Sequence, residues 1–140
     1  MNKLTAGSVY AVTVVSQPTG QSCSVSNGSG VAATANITNV AVSCLNNTYT
    51  VGGTNFSQAT VSISGSSIAG QAASTSNPYQ FSARFGDIVT LTAIKSGSLC
   101  TVTGSPITMS AANVSNANVI CHSVPSAPVA LTATGGKGLI

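Results

Sequence analysis

Charge is almost absent from this 140-residue chain. There is no Glu, the one acid is Asp87, and the cations are Lys3, Arg84, Lys95 and Lys137. Charged residues therefore make up 4% of the chain, against about 25% in an average soluble protein. Trp is also missing, and His122 is the one histidine. Each scarcity removes a class of function. One acid and one imidazole supply neither the paired carboxylates of general acid–base chemistry nor the oxygen cage of a calcium site. Four scattered cations do not form the clustered Lys and Arg of a nucleic-acid footprint. No stretch approaches the roughly 20 apolar residues of a membrane-spanning helix, so no membrane insertion is expected. Three Tyr and three Phe leave few aromatics for a carbohydrate-binding platform.

Short neutral polar residues fill the space, with 22 Ser, 17 Thr and 11 Asn. Disorder does not follow, because 43% of the residues are hydrophobic and disordered chains combine low hydrophobicity with high net charge. Four cysteines in so short a chain point to disulfides and an oxidising, extracellular setting. A zinc site would need close pairs such as C-x-x-C, and none is present. Cys121-His122 ends like a haem-attachment motif, but position 118 is Asn rather than Cys. No metal or other cofactor is expected. Met1-Asn2-Lys3-Leu4 could open a signal peptide, yet Thr5-Ala6-Gly7-Ser8 is too polar for its apolar region. A secretion signal is expected upstream of these residues.

The chain repeats itself. Cys23 and Cys44 are separated by 21 residues, as are Cys100 and Cys121, and the two pairs are offset by 77. In that register Ala35-Asn36-Ile37-Thr38-Asn39-Val40-Ala41-Val42-Ser43-Cys44 lies on Ala112-Asn113-Val114-Ser115-Asn116-Ala117-Asn118-Val119-Ile120-Cys121. Gly20 lies on Gly97, Cys23-Ser24-Val25 on Cys100-Thr101-Val102, and, without a gap, Val12-Thr13-Val14 on Val89-Thr90-Leu91. Of three possible connectivities, Cys23–Cys44 with Cys100–Cys121 is the simplest, because each repeat then holds one bond. Closing a loop of this size stabilises a module by about 3 kcal/mol in the chain-entropy model.

Strands are expected throughout. Tyr10-Ala11-Val12-Thr13-Val14-Val15 and Asp87-Ile88-Val89-Thr90-Leu91-Thr92-Ala93-Ile94 are rich in β-branched residues. Ala59-Thr60-Val61-Ser62-Ile63-Ser64 alternates cleanly, and Tyr79, Phe81 and Phe85 fall on one face of their segment, as core residues do. Breaks are expected at residues 17–20, 26–30, Gly52-Gly53 and 76–78. Short strands with turns at this spacing read as an all-β sandwich.

The two repeats are unequal. The second, from Tyr49 to Cys121, has room for about seven strands. The first has no counterpart of residues 49–83. Its remaining 38 residues (7–44) fall below the roughly 40 at which domains seldom stand alone. After Cys121 the chain carries Pro125 and Pro128, then Val129, Leu131 and Ala133 in alternation, a strand without a module of its own. Gly135-Gly136 then turns it toward Leu139-Ile140. The expected organisation is an incomplete N-terminal module (1–47), a complete module (48–122) and an extended donor strand or linker (123–140).

Tyr10-Ala11-Val12-Thr13-Val14, Gln17-Pro18-Thr19-Gly20-Gln21-Ser22-Cys23-Ser24-Val25 and Asn39-Val40-Ala41-Val42-Ser43-Cys44 resemble a Cys-paired Ig-like module repeated in large bacterial surface and secreted proteins. The second copy is looser, with Ile94-Lys95-Ser96-Gly97 in place of Gln-Pro-Thr-Gly. Residues 126–134 are similar to the opening strand of a fibronectin type III domain. The resemblance implies tandem Ig-like β-sandwich modules, an extracellular or cell-surface location, a structural or adhesive role and no catalytic residues.

The expected function is that of a filament subunit, polymerising with itself head to tail. Val129, Leu131 and Ala133 of one copy would complete the acceptor module of the next at Tyr10, Val12 and Val14. The alternative is a fragment of a long multidomain adhesin. No enzyme activity is expected: His122 and Asp87 have no G-x-S-x-G elbow beside them, and Gly28-Ser29-Gly30-Val31-Ala32-Ala33 opens no helix and has no acid about 20 residues on. Asp87 and Lys95 suggest an isopeptide bond less readily than a capped turn. Sequons at Asn27, Asn36, Asn46, Asn55 and Asn113 are expected by accident in so Ser/Thr-rich a chain, and Ser and Thr are possible carriers of O-linked glycans.

Overall fold

The structure is a computed structural model and describes residues 3–125. It is all-β among those residues, as the composition leads one to expect. Eleven strands follow in order: β1 (Val9–Ala11), β2 (Gln21–Ser26), β3 (Ser29–Val31), β4 (Ala41–Asn46), β5 (Thr48–Gly53), β6 (Thr60–Gly65), β7 (Tyr79–Arg84), β8 (Ile88–Ile94), β9 (Ser98–Val102), β10 (Ile107–Thr108) and β11 (Val119–Ser123). They pair antiparallel as β1-β3, β2-β4, β5-β7, β9-β11 and the three-stranded β6-β8-β10.

The internal repeat is present in the backbone. Cys23 faces Cys44 in the β2-β4 ladder and Cys100 faces Cys121 in the β9-β11 ladder. Ser24↔Ser43 and Val25↔Val42 correspond to Thr101↔Ile120 and Val102↔Val119, an identical register at the offset of 77. Both cysteine pairs are bonded, with Cα atoms 3.9 and 4.0 Å apart. Each bond therefore staples two neighbouring strands of one ladder. The two bonds agree with an oxidising environment.

β1-β3 likewise repeats β8-β10, but by a different offset on one side. Ala32 N donates to Ser8 O as Met109 N donates to Asp87 O, and Gly7 N donates to Ala32 O as Gly86 N donates to Met109 O. Gly7 and Gly86 share a left-handed φ of 88° and 84°. This pairing sets Tyr10 on Val89 and Val12 on Leu91, so the ungapped alignment of Val12 with Val89 is two residues out. The extra two residues lie before Gly20, where Gln17 closes the loop on Cys23: its Oε1 accepts from Cys23 N at 2.6 Å and its Nε2 donates to Cys23 O at 3.1 Å.

Three other expectations change. The strand expected over residues 10–15 ends at Ala11. Gly52-Gly53 is no break but the end of β5. A Cβ at Gly52 would sit 2.0 Å from Tyr79 O, and one at Gly53 would sit 2.5 Å from Ala117 O; the glycines let three backbones approach. Phe85 leaves the core face and covers Gly20, whose Cβ position lies 2.2 Å from the ring. That contact joins the two repeats, together with Phe85 N donating to Asn47 O (2.9 Å) and Asn46 Nδ2 donating to Phe85 O (3.0 Å).

The hydrophobic core belongs to the second repeat. Val51, Val61, Tyr79, Phe81, Val89, Leu91, Met109 and Val119 are its main members, drawn from β5, β6, β7, β8 and β11 and from Met109 just after β10. This packing of small sheets over a shared interior is consistent with a β-sandwich. No residue of β1–β4 belongs to that core.

Candidate functional site

The most distinctive surface is the face that β1–β4 leave uncovered. The core-facing positions of β8 and β11 have counterparts in the first repeat, so exposure can be compared there place by place. Leu91 is 4% exposed and its counterpart Val12 is 43% exposed; Val119 is 7% exposed and Val42 is 61%. Tyr10 and Val14 are half-buried, while Val89, the counterpart of Tyr10, is fully enclosed. Every residue of β4 is exposed. In the second repeat these positions share one buried core with residues of β5, β6 and β7, and residues 3–47 hold no strand corresponding to those three. Burying one such valine is worth about 1.5–3 kcal/mol, so the open face withholds a substantial part of the stability available to this fold.

Two backbone edges are open as well. β8 lies between β10 and β6, whereas β1 has β3 on one side and no strand on the other among the described residues. Ser8 O and Val12 N point to the β3 side, so the alternation of an antiparallel ladder turns Val9 and Ala11 outward. Beyond the end of β1, Thr13 and Val15 make no backbone hydrogen bond among the described residues. The second open edge is residues 36–42. In the second repeat its counterpart receives β5 in parallel: Val114 N donates to Thr50 O, Gly52 N to Val114 O, and Ala117 N to Gly52 O, at 2.8, 2.9 and 3.0 Å. A groove of about 730 Å³ runs beside this edge, lined in part by Leu4, Ala32, Ala35 and Ile37.

The acceptor residues expected from sequence, Tyr10, Val12 and Val14, thus lie beside the first of these edges. The donor residues Val129, Leu131 and Ala133 lie outside the described residues. Cys23, Cys44, Cys100 and Cys121 are the stapling pairs described above.

Asp87, Lys95 and Tyr79 are engaged structurally. Asp87 is buried; its Oδ1 accepts from Ser67 Oγ (2.6 Å) and its Oδ2 from Arg84 N (2.9 Å), which caps the turn into β8. Lys95 donates instead to Ser57 O at 2.6 Å, so the acid and the lysine serve separate partners. His122 is exposed on β11 opposite Leu99. Tyr79 donates its hydroxyl to Ala117 O, and burial pushes its pKa above the usual tyrosine value. A second cavity, about 210 Å³, is lined by residues that include Gly52, Gly53, Pro78, Tyr79 and Val114. Among the described residues no group of His, Cys, Asp or Glu is placed to hold a metal, and no helix is long and apolar enough to cross a membrane.

Sequence reasoning missed Asn55. Its side chain is fully buried, donating to Ala59 O and accepting from Ala59 N at 2.8 and 3.0 Å. The sequon there is the one local signal, and it points the wrong way. Comparison with protein-family models, with curated proteins and with solved structures gives no match to this chain.

Proposed function

We propose that the chain is a non-catalytic structural subunit of an extracellular filament. In this reading it is built of tandem Ig-like β-sandwich modules, the first of which is completed by a strand from a neighbouring copy. The observation that carries this reading is the exposure of Val12 and Val42 at places where the second repeat buries Leu91 and Val119. A surface that repeats a core position and leaves it open is a docking surface for the layer that covers it elsewhere.

The edge chemistry supports the same conclusion. Exposed edges ordinarily carry Lys, Pro or a bulge that prevents pairing with another chain. Residues 9–15 read Val-Tyr-Ala-Val-Thr-Val-Val and contain neither Lys nor Pro. Strand addition supplies affinity through main-chain hydrogen bonds and specificity through alternate side chains. When donor and acceptor lie at opposite ends of one chain, the contact is head to tail and propagates as an open filament. The tail, with Val129, Leu131 and Ala133 in alternation, is the donor in this reading.

Negative-stain imaging and sedimentation of the full chain and of a variant lacking residues 124–140 test the proposal. Filaments from the full chain and monomers from the deletion are expected. Monomers from both at high concentration, or unchanged filaments from the deletion, would overturn it. Closure of the first unit only when upstream sequence is added would assign the missing strands to a longer chain instead.

A further inference from the structure

The repeat specifies which missing strand the tail replaces. β6 and the residue before it read Ala59-Thr60-Val61-Ser62-Ile63-Ser64-Gly65, and the tail contains Val129-Ala130-Leu131-Thr132-Ala133-Thr134-Gly135. Apolar residues stand at the first, third and fifth places of both segments, a hydroxyl residue at the fourth and sixth, and Gly at the seventh. In the structure those first and third places, Ala59 and Val61, are fully buried, and Ile63 packs against the same core. Gly65 is required where it stands, because a Cβ there would lie 2.7 Å from Ile88 O.

We infer, resting on the strand-completion reading above, that residues 129–135 of one copy occupy beside the first unit of another the place that β6 holds beside β8. β6 sets Ile63 opposite Leu91, Val61 opposite Ala93 and Gly65 opposite Val89. Carried over through the matched backbone, Ala133 stands opposite Val12, Leu131 opposite Val14 and Gly135 opposite Tyr10, antiparallel to the open edge at residues 9–15. Ala133 and Leu131 then pack beside Val12, which this face leaves exposed, and the half-buried Val14. Gly135 passes the carbonyl of Val9 as Gly65 passes that of Ile88.

A competing register uses the other open edge. Thr134-Gly135-Gly136 also matches Val51-Gly52-Gly53 of β5, which would lay the tail parallel to residues 36–42. The two registers put the steric demand on different glycines. In the β6 place Gly135 is confined. In the β5 place Gly136 is confined, because the position of Gly53 is closed by Ala117 O, whose counterpart is the carbonyl of Val40. The Gly52 position is closed by Tyr79 O, a group with no counterpart in residues 3–47.

Gly135→Val and Gly136→Val in the full chain, assayed for the concentration of half-assembly, separate these cases. Gly135→Val is expected to raise that concentration at least about tenfold, the effect of forcing an overpacked contact, while Gly136→Val leaves it unchanged. As an independent readout, Val12→Cys with Ala133→Cys is expected to give disulfide-linked ladders on oxidation, and Val12→Cys with Thr132→Cys is not. The reverse sensitivity of the two glycines would overturn the register and leave strand donation standing. So would wild-type assembly of both variants when deletion of residues 124–140 still abolishes it. If the deletion has no effect, the parent reading fails and this one with it.

Discussion

Val42 and Val119 hold the same place in two ladders of one register, each facing a valine across its disulfide-stapled partner strand, yet one is 61% exposed and the other 7%. Nothing in the ladders themselves makes the difference. It lies in what they pack with: Val119 shares a buried core with residues of β5, β6 and β7, and the first repeat has no equivalent of those strands among the described residues. The contrast turns a sequence repeat into a physical statement about an unfilled position.

Truncation at the two sites should accordingly have unlike effects. Val119→Ala empties part of a packed core and is expected to cost about 2 kcal/mol. Val42→Ala in the unassembled chain removes atoms already in contact with water and is expected to stay within about 0.5 kcal/mol. Urea denaturation midpoints of the two variants, measured at a concentration below assembly, check both values. If Val42→Ala matched Val119→Ala there, the first unit would already be covered within the lone molecule.

The two disulfides should also matter unequally. A bond closing a loop of this length is worth about 3 kcal/mol in the chain-entropy model, and the first unit has no core of its own to make up the loss. Replacing Cys23 and Cys44 by Ser is expected to release residues 9–46 to fast amide exchange while residues 49–121 keep their protection. Replacing Cys100 and Cys121 is expected to lower the stability of the second unit without abolishing its protection. Hydrogen exchange read by mass spectrometry resolves the two segments. Uniform loss of protection after the first replacement would show that the units fold as one.

Much of this architecture is legible in the sequence because the cysteines carry it. Their equal spacing marks the repeat, and each lies opposite its partner, so the sequence offset becomes the ladder register directly. The two-residue shift near Tyr10 is hidden because β-branched residues fill both candidate alignments, and the backbone hydrogen bonds of Ala32 and Met109, with the Gly7 and Gly86 turns, settle it. Gly52-Gly53 reads as a break from composition alone, since the carbonyls of Tyr79 and Ala117 that require it come from distant segments. Phe85 keeps the alternation of Tyr79 and Phe81 but falls past the end of β7, where its ring packs on Gly20. The two open edges, with their different partner geometries, needed the backbone.

Asn55 provides the sharpest test of the second unit's interior. Its amide satisfies both the N–H and the C=O of Ala59 within a buried turn, so a side chain without a donor and an acceptor strands two backbone groups at once. Each buried unsatisfied group costs about 1–3 kcal/mol. Asn55→Leu is therefore expected to destabilise the unit by about 3 kcal/mol despite being more apolar, and thermal unfolding should show the loss. Burial makes a second demand on the same residue. Asn27, Asn36, Asn46 and Asn113 are exposed sequon sites, whereas Asn55 is fully enclosed. In a host that glycosylates sequons, the folded fraction is expected to carry sugar at exposed sites and none at Asn55. Glycopeptides containing modified Asn55 in correctly disulfide-bonded, protease-resistant protein would contradict the buried turn.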